Sequence, residues 1–286
     1  MNLDQAGLIL EGGGLRGIYT SGVLRYFMER QMYFPYVIGV SIGACNGANY
    51  VSRQPERNRI VNTRFVNDRR YLSYLRLLTK GELFGMEFIF DVIPNSLVPF
   101  DLDTYLSSGQ IFITTVTDCA TGQALYFEKN DMGRDGYRIL QASCSLPFIA
   151  HPVEYQGKVL MDGGIADPVP IRKSISDGNL RHVLILTQPR GYRKSPNFWA
   201  RLARRRYPHL PGLCEALDQR PAKYNATMDL IDSLEDKGEV FVIRPQAPLG
   251  VKRAERNQSK LYLAYDRGYE DGARAFEAMC NYLSAA

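Results

Sequence analysis

Two short apolar runs, each ending at a glycine-flanked turn that leads into a helical repeat, do most to restrict the fold. Residues 6–10 form the first run, which ends at Glu11 and the cluster Gly12-Gly13-Gly14-Leu15-Arg16-Gly17. From 15 to 29, Ile18, Val23, Leu24 and Phe27 recur at helical spacing. The second run, 36–40, meets Ser41 and then a helix of small residues starting at Ile42. Strands this apolar, alternating with helices, predict an α/β fold whose mainly parallel sheet is covered by helices on both faces.

Farther along, residues 111–117 and 124–128 flank the glycine turn 118–122 and read as an antiparallel pair. Further strands are expected at 159–161, 183–187 and 240–244, and a long amphipathic helix at 258–283. The arginine-rich, then aromatic stretch 52–107 reads as helices and loops inserted beside the sheet, a candidate lid. With 45% hydrophobic and 23% charged residues, the chain is excluded from the disordered, collagen-like and coiled-coil classes. Its 286 residues show no internal repeat or linker, so one domain is expected, with a catalytic core at 6–175 that 176–286 completes.

The uncharged run 31–52 is long enough to cross a bilayer, but Gln31, Pro35, Asn46, Asn49 and three glycines within it argue against a span. Residues 1–5 have none of the features of a secretory signal, and the five cysteines show neither paired nor metal-type spacing. The expectation is a cytoplasmic protein with no disulfide, structural metal or cofactor.

Charge is unevenly spread. Between Asp177 and Glu215 there is no acidic residue, while Arg181, Arg190, Arg193, Lys194, Arg201, Arg204, Arg205 and Arg206 are all basic. A second basic segment, 53–80, sets eight Arg or Lys against Glu56 and Asp68. Aromatics lie within both: Phe198 and Trp199 in the first, Phe65, Tyr71 and Tyr74 in the second. Trp199 with Arg204, Arg205 and Arg206 makes a candidate surface for anionic lipid headgroups or nucleic acid, against the simpler reading of a solvated loop.

Gly39-Val40-Ser41-Ile42-Gly43 has the form G-x-S-x-G, in which a serine on a sharp strand-to-helix turn projects its hydroxyl and the flanking glycines relieve crowding. At a helix N-terminus Ser41 also meets a positive dipole. A nucleophilic serine needs a base and an oxyanion site. Nothing in the surroundings of His151, His182 or His209 singles one out as that base. Asp162, in Asp162-Gly163-Gly164 after a short strand, would end at the same sheet edge as Ser41; burial beside Met161 would raise its pKa toward a useful base. A plain turn is the competing reading of that motif.

Gly12 to Gly17 also matches the dinucleotide pattern G-x-G-x-x-G, yet no acid follows about 20 residues on. After Glu29 the next is Glu56. The better use of the loop is an anion cradle, with Gly12, Gly13 and Gly14 holding an oxyanion and Arg16 steadying the loop, meeting a phosphate headgroup or forming a surface ion pair.

Taken together, the Gly12–Gly17 loop, Gly39-x-Ser41-x-Gly43 and Asp162-Gly163-Gly164 resemble the patatin-like phospholipases in order and spacing. Residues 142–147 and 166–171 extend the likeness, which covers roughly 6–175. The resemblance implies a three-layer α/β/α sandwich and lipid acyl hydrolysis, with Ser41 as nucleophile, Asp162 as base and Gly12, Gly13 and Gly14 as the oxyanion loop, without histidine or metal. Phospholipid, lysophospholipid or acylglycerol would be the substrate, with peripheral membrane contact and no nucleic-acid partner. Val40 and Ile42, larger than the family's usual residues beside the serine, would narrow its surroundings. Acyl transfer on the same residues and non-catalytic lipid binding are the alternatives, ahead of a nucleotide-binding oxidoreductase.

Overall fold

A computed structural model describes the backbone of residues 3–195 and 199–285, with all their side chains except those at 134, 199 and 200. Its strands are β1 (Ala6–Leu10), β2 (Tyr36–Val40), β3 (Ile111–Asp118), β4 (Ala124–Glu128), β5 (Val153–Tyr155), β6 (Lys158–Asp162), β7 (Arg181–Ile185) and β8 (Val240–Ile243). The helices are α1 (Ile18–Glu29), α2 (Ile42–Val51), α3 (Arg57–Arg64), α4 (Tyr74–Lys80), α5 (Leu102–Ser107), α6 (Lys129–Met132), α7 (Gly136–Cys144), α8 (Ile171–Ser176), α9 (Trp199–Arg206), α10 (Pro211–Asp236) and α11 (Gln258–Ser284). A π-helical stretch, Phe88–Leu97, lies between α4 and α5.

The strands form one mixed sheet. β8, β7, β1, β2 and β3 run parallel in that order, while β4, β6 and β5 are antiparallel additions around β3. Alternate side chains go to opposite faces, as the pleat requires. Leu8, Leu10, Val183 and Ile185 point into a core shared with Tyr19 and Val23 of α1, Ala44 of α2 and Met279 of α11. Ile9 and Leu184 point the other way, onto Ile171 of α8 and Tyr224, Met228 and Ile231 of α10. Two helical layers therefore enclose the sheet, a three-layer α/β/α sandwich.

The insertion 52–107 is helical, as expected, and packs through its own core of Phe65, Tyr71, Leu72 and Phe88 against Leu261 and Tyr265 of α11. Several boundaries shift from the sequence reading, three of them for a visible reason. α1 starts at Ile18 because Gly14–Gly17 form a separate 3-10 turn. β7 ends at Ile185 and not at Thr187, whose backbone N–H is taken by the Glu11 carboxylate at 2.6 Å. β8 stops before Arg244, which leaves the strand to pair with Asp232 at 2.9 Å. Among the described residues no helix is long and apolar enough to cross a membrane.

Candidate active site

The pairing around β3 brings two distant motifs together. β2 pairs with residues 111–115 of β3, and β6 takes over that edge at 116–118 while β4 occupies the opposite edge. Val40 lies opposite Thr115, and Asp162 lies opposite the next residue, Val116. The residue that follows β2 and the last residue of β6 therefore come together where one strand yields to the other. Those residues are Ser41 and Asp162, which line one small cavity together, the Ser41 side chain helping to hold the Asp162 pKa down against burial.

Ser41 sits at φ 56°, ψ −128°, a conformation that a residue with a Cβ takes only when its surroundings force it. Three features force it here. Its backbone N–H donates to Ser143 Oγ at 2.8 Å, and Ser143 in turn donates to the Thr115 carbonyl at 2.7 Å. Its carbonyl accepts from Ala44 N at 2.9 Å, starting α2. Gly43 lets the turn press onto β1: a Cβ there would lie 2.4 Å from the Leu10 carbonyl oxygen. Gly39 packs likewise against the backbone of Ala44.

Asp162 is 1% exposed, and burial raises its carboxyl pKa above the ordinary value near 3.8. The nearby Arg220 charge, the Ser41 side chain and the Gly164 N–H at 2.8 Å oppose that rise. Arg220 also donates to the Gly164 carbonyl at 2.7 Å, anchoring the turn that Gly163 and Gly164 form. Gly12 packs against Val40 and Ser41, and Gly12, Gly13 and Gly14 line the same small cavity as Ser41 and Asp162, of about 30 Å³. Glu11 braces this loop by accepting from Thr187 N, Thr187 Oγ1 at 3.0 Å and Tyr224 Oη at 3.0 Å.

A second, apolar cavity of about 120 Å³ also reaches Ser41, lined by Leu15, Ile42, Phe84, Phe90, Leu140 and Ile149 among others. Gly17 lacks the Cβ that would collide with Ile42 at 2.5 Å, so the bulky Ile42 forms a cavity wall without crowding the serine. Cys45 and Cys144 also line it, with their sulfurs 3.6 Å apart.

A family model described as patatin-like phospholipase matches residues 8–174. The chain belongs to the patatin-like phospholipase family. A second model, a domain of unknown function (DUF6363), matches residues 210–284. Among relatives, the Escherichia coli protein YjjU is 28% identical over 250 residues, 85% of this chain and 69% of that protein. A lysophospholipase of Chaetomium globosum is 30% identical over 183 residues, 60% of this chain but 11% of the fungal protein. One of Aspergillus terreus is 27% identical over 294 residues, covering 96% of this chain and 18% of its own length. The chain thus spans less than a fifth of these fungal enzymes. The crystal structure of VipD from Legionella pneumophila superposes with a TM-score of 0.51 at 13% identity, covering 96% of this chain and 67% of that one, a likeness of fold.

The histidines of this patatin-like chain line neither cavity that holds Ser41. His182 is buried and bonded to Ser174 Oγ at 3.1 Å, and burial lowers its pKa to about 4. His151 Nε2 meets the Lys80 carbonyl at 2.8 Å, and His209 is exposed. Arg16 is no surface ion pair: its Nε is buried beside Gly13, with no hydrogen-bond partner among the described residues.

The basic segment is less naked than its sequence implied. Arg190 pairs with Asp236 at 2.6 Å, Arg193 with Asp229 at 2.5 Å, and Arg204 with Asp218, all acids of α10. Arg205 and Arg206 stay exposed. Phe198 and the Trp199 side chain lie outside the described residues. Sequence reasoning missed Glu11, Ser143 and Arg220, which brace the site; no local motif marks them, because each acts across 28 or more residues of chain.

Proposed function

We propose that this patatin-like chain hydrolyses fatty-acyl esters of lipids, with Ser41 as nucleophile and Asp162 as base. The observation that carries the reading is a strained Ser41 that lines a small polar cavity together with the buried Asp162 and also borders an apolar cavity. The acyl chain lies along Ile42 and Phe84 in the apolar cavity. Asp162 takes the Ser41 proton as the oxygen attacks the ester carbonyl, and the amides of Gly12, Gly13 and Gly14 hold the oxyanion. The departing alcohol takes that proton from Asp162 and leaves an acyl-enzyme; water, giving a proton to the freed carboxylate, then releases the fatty acid as the proton passes back to Ser41. The segment 176–286 belongs to the same unit in this reading, since α10 supplies Arg220 and α11 completes the core.

A fluorophosphonate probe tests the proposal directly, since an activated serine displaces fluoride from phosphorus. Wild-type protein is expected to gain one covalent label, mapped by mass spectrometry to Ser41, and to release fatty acid from monoacyl lipids. No label, or a label elsewhere, would point to a non-catalytic lipid binder.

Lipid arrives from a membrane surface, and α4 is the face we assign to meet it. Tyr74, Leu75 and Leu78 are 54%, 68% and 85% exposed, beside Arg76 and Lys80, while neighbouring Tyr71 and Phe84 line the apolar cavity. Burying each exposed leucine in the interface contributes about 1–2 kcal/mol. Replacing Leu75 and Leu78 together with Asp is expected to weaken binding to anionic vesicles roughly tenfold or more in a sedimentation assay. Unchanged vesicle binding would move the docking face elsewhere, with Arg205 and Arg206 the next candidates.

A further inference from the structure

The polar cavity beside Ser41 is lined by four cationic side chains, Arg16, Lys194, Arg220 and Arg253, from four separate parts of the chain. Lys194, Arg220 and Arg253 lie beyond the segment matched by the patatin-like model. Among the described residues no carboxylate forms an ion pair with any of the four. This sets them apart from Arg190, Arg193, Arg204 and Arg244, which all pair with acids of α10. The two carboxylates facing the cavity are already engaged by other donors. Glu11 accepts from Thr187 and Tyr224, and Asp162 from the Gly164 N–H. Four cations thus face two carboxylates that do not bind them directly.

The cations also feel one another. Burial and then Arg253 lower the Arg16 pKa, and burial and Arg220, then Arg253, depress that of Lys194, stacked 3.6 Å from the Tyr224 ring centre, with the Glu11 carboxylate opposing both shifts. Unpaired charges held this close are costly unless a ligand completes them. The cavity, about 30 Å³, holds roughly two waters, the size of a compact oxyanion. Gly14, Ser41, Leu146 and Arg253 line both this cavity and the apolar one, so an ester carbonyl at Ser41 would have its acyl chain on one side and its alcohol part on the other.

We infer that Lys194, Arg220 and Arg253, with Arg16, form a headgroup pocket selecting acyl esters whose alcohol carries a phosphate monoester, as in a monoacylglycerol phosphate. The inference rests on the hydrolase reading of Ser41 and adds the substrate class to it. Arginine and lysine donors match phosphate oxygens, and a dianionic monoester satisfies the surplus charge that a neutral glycerol leaves unmet. A phosphocholine diester brings one negative charge and places a quaternary cation near the same four positive groups.

The test compares wild type, Lys194→Gln and Arg253→Ala on three substrates of equal chain length: a monoacylglycerol, its phosphate monoester and its phosphocholine diester. Lys194→Gln keeps the stem packed on Tyr224, and Arg253 is exposed, so two different variants probe one pocket. In wild type the monoester is expected to exceed the neutral ester in kcat/KM by roughly 10- to 100-fold, with the diester between them. Each variant should shrink that ratio about tenfold. Equal turnover of monoester and neutral ester, or an unchanged ratio in both variants, overturns the pocket.

Calorimetry of glycerol phosphate binding to Ser41→Ala reads the pocket without turnover. Binding by a chain that hydrolyses none of the three esters supports the pocket and contradicts the hydrolase reading. Ester hydrolysis without such binding does the reverse. If inorganic phosphate binds more tightly than glycerol phosphate and accelerates neutral-ester turnover, the site serves a free anion and the headgroup assignment fails.

Discussion

Asp162→Asn is expected to lower kcat/KM by about 10³-fold or more while leaving the melting temperature equal to or above that of the wild type. The two effects share one cause. Burial holds the carboxyl pKa above its ordinary value, so the folded protein binds a proton more tightly than the unfolded chain does. At neutral pH the native state must keep a buried charge that the unfolded chain would hydrate, and the charge subtracts from stability. That subtraction fades as pH falls through the raised value and is gone below the ordinary one near 3.8. Asparagine can still accept from the Gly164 N–H but carries no charge, so the stability gap favouring the variant should be widest at neutral pH and close on acidification. It takes no proton from Ser41, so turnover is lost. In the wild type the same titration, raised from the ordinary value by burial, should set the acid limb of kcat/KM. Ser41→Ala should lose as much activity, and the double variant no more, because the two side chains act as one unit. Thermal melts from pH 4 to 8 beside ester hydrolysis provide the check; activity within tenfold of wild type would remove Asp162 as the base.

The elements that position Ser41 were legible because their signals are local. An apolar run, a glycine-relieved turn and a small-residue helix need no partner to be recognised, and β2, Ser41 and α2 follow that order. The meeting of Ser41 with Asp162 was legible only as an expectation of shared sheet edge. What brings it about is the handover on β3 from β2 to β6, a pairing across more than forty residues. The braces were not legible at all. Arg220 reaches Gly164 from α10, a 26-residue helix in which Gly212 and Pro221 obscure the pattern, although Pro211 at its first turn is favourable. Missing α10 also distorted the reading of charge. The run without acids after Asp177 is real in the sequence, yet Asp218, Asp229 and Asp236 fold back beside it, while the unpaired cations gather at Ser41 instead. Charge counted along a chain ranks surfaces poorly when a long helix returns over them.

Gly268→Ala should destabilise the fold by about 3 kcal/mol, through backbone contact between α1 and α11. A Cβ at Gly268 would lie 2.0 Å from the Tyr19 carbonyl oxygen, and one at Gly22 would lie 2.0 Å from that of Tyr265. Both obstacles are main chain, so no side-chain rotation relieves them and the helices must separate. Separation loosens Val23, Phe27 and Met279, all buried between the helices and the sheet, and stretches the 2.8 Å hydrogen bond from Tyr19 Oη to Asp271. Gly272, where a Cβ would meet Val23 at 3.2 Å, is the graded control: Gly272→Ala should cost under about 1 kcal/mol. Urea unfolding of the three proteins measures the difference, and a Gly268→Ala cost no greater than that of Gly272→Ala would rule out main-chain contact between α1 and α11 as the source of the cost. The consequence reaches the site. α1 continues directly from the Gly14–Gly17 turn, and Leu15 N donates to the Arg253 carbonyl at 3.0 Å just before α11 begins. Moving α11 off α1 therefore pulls on the C-terminal end of the loop that holds Gly12, Gly13 and Gly14 against Ser41. Gly268→Ala should accordingly lose activity at temperatures where it is still folded, which a surface substitution of equal stability cost would not do.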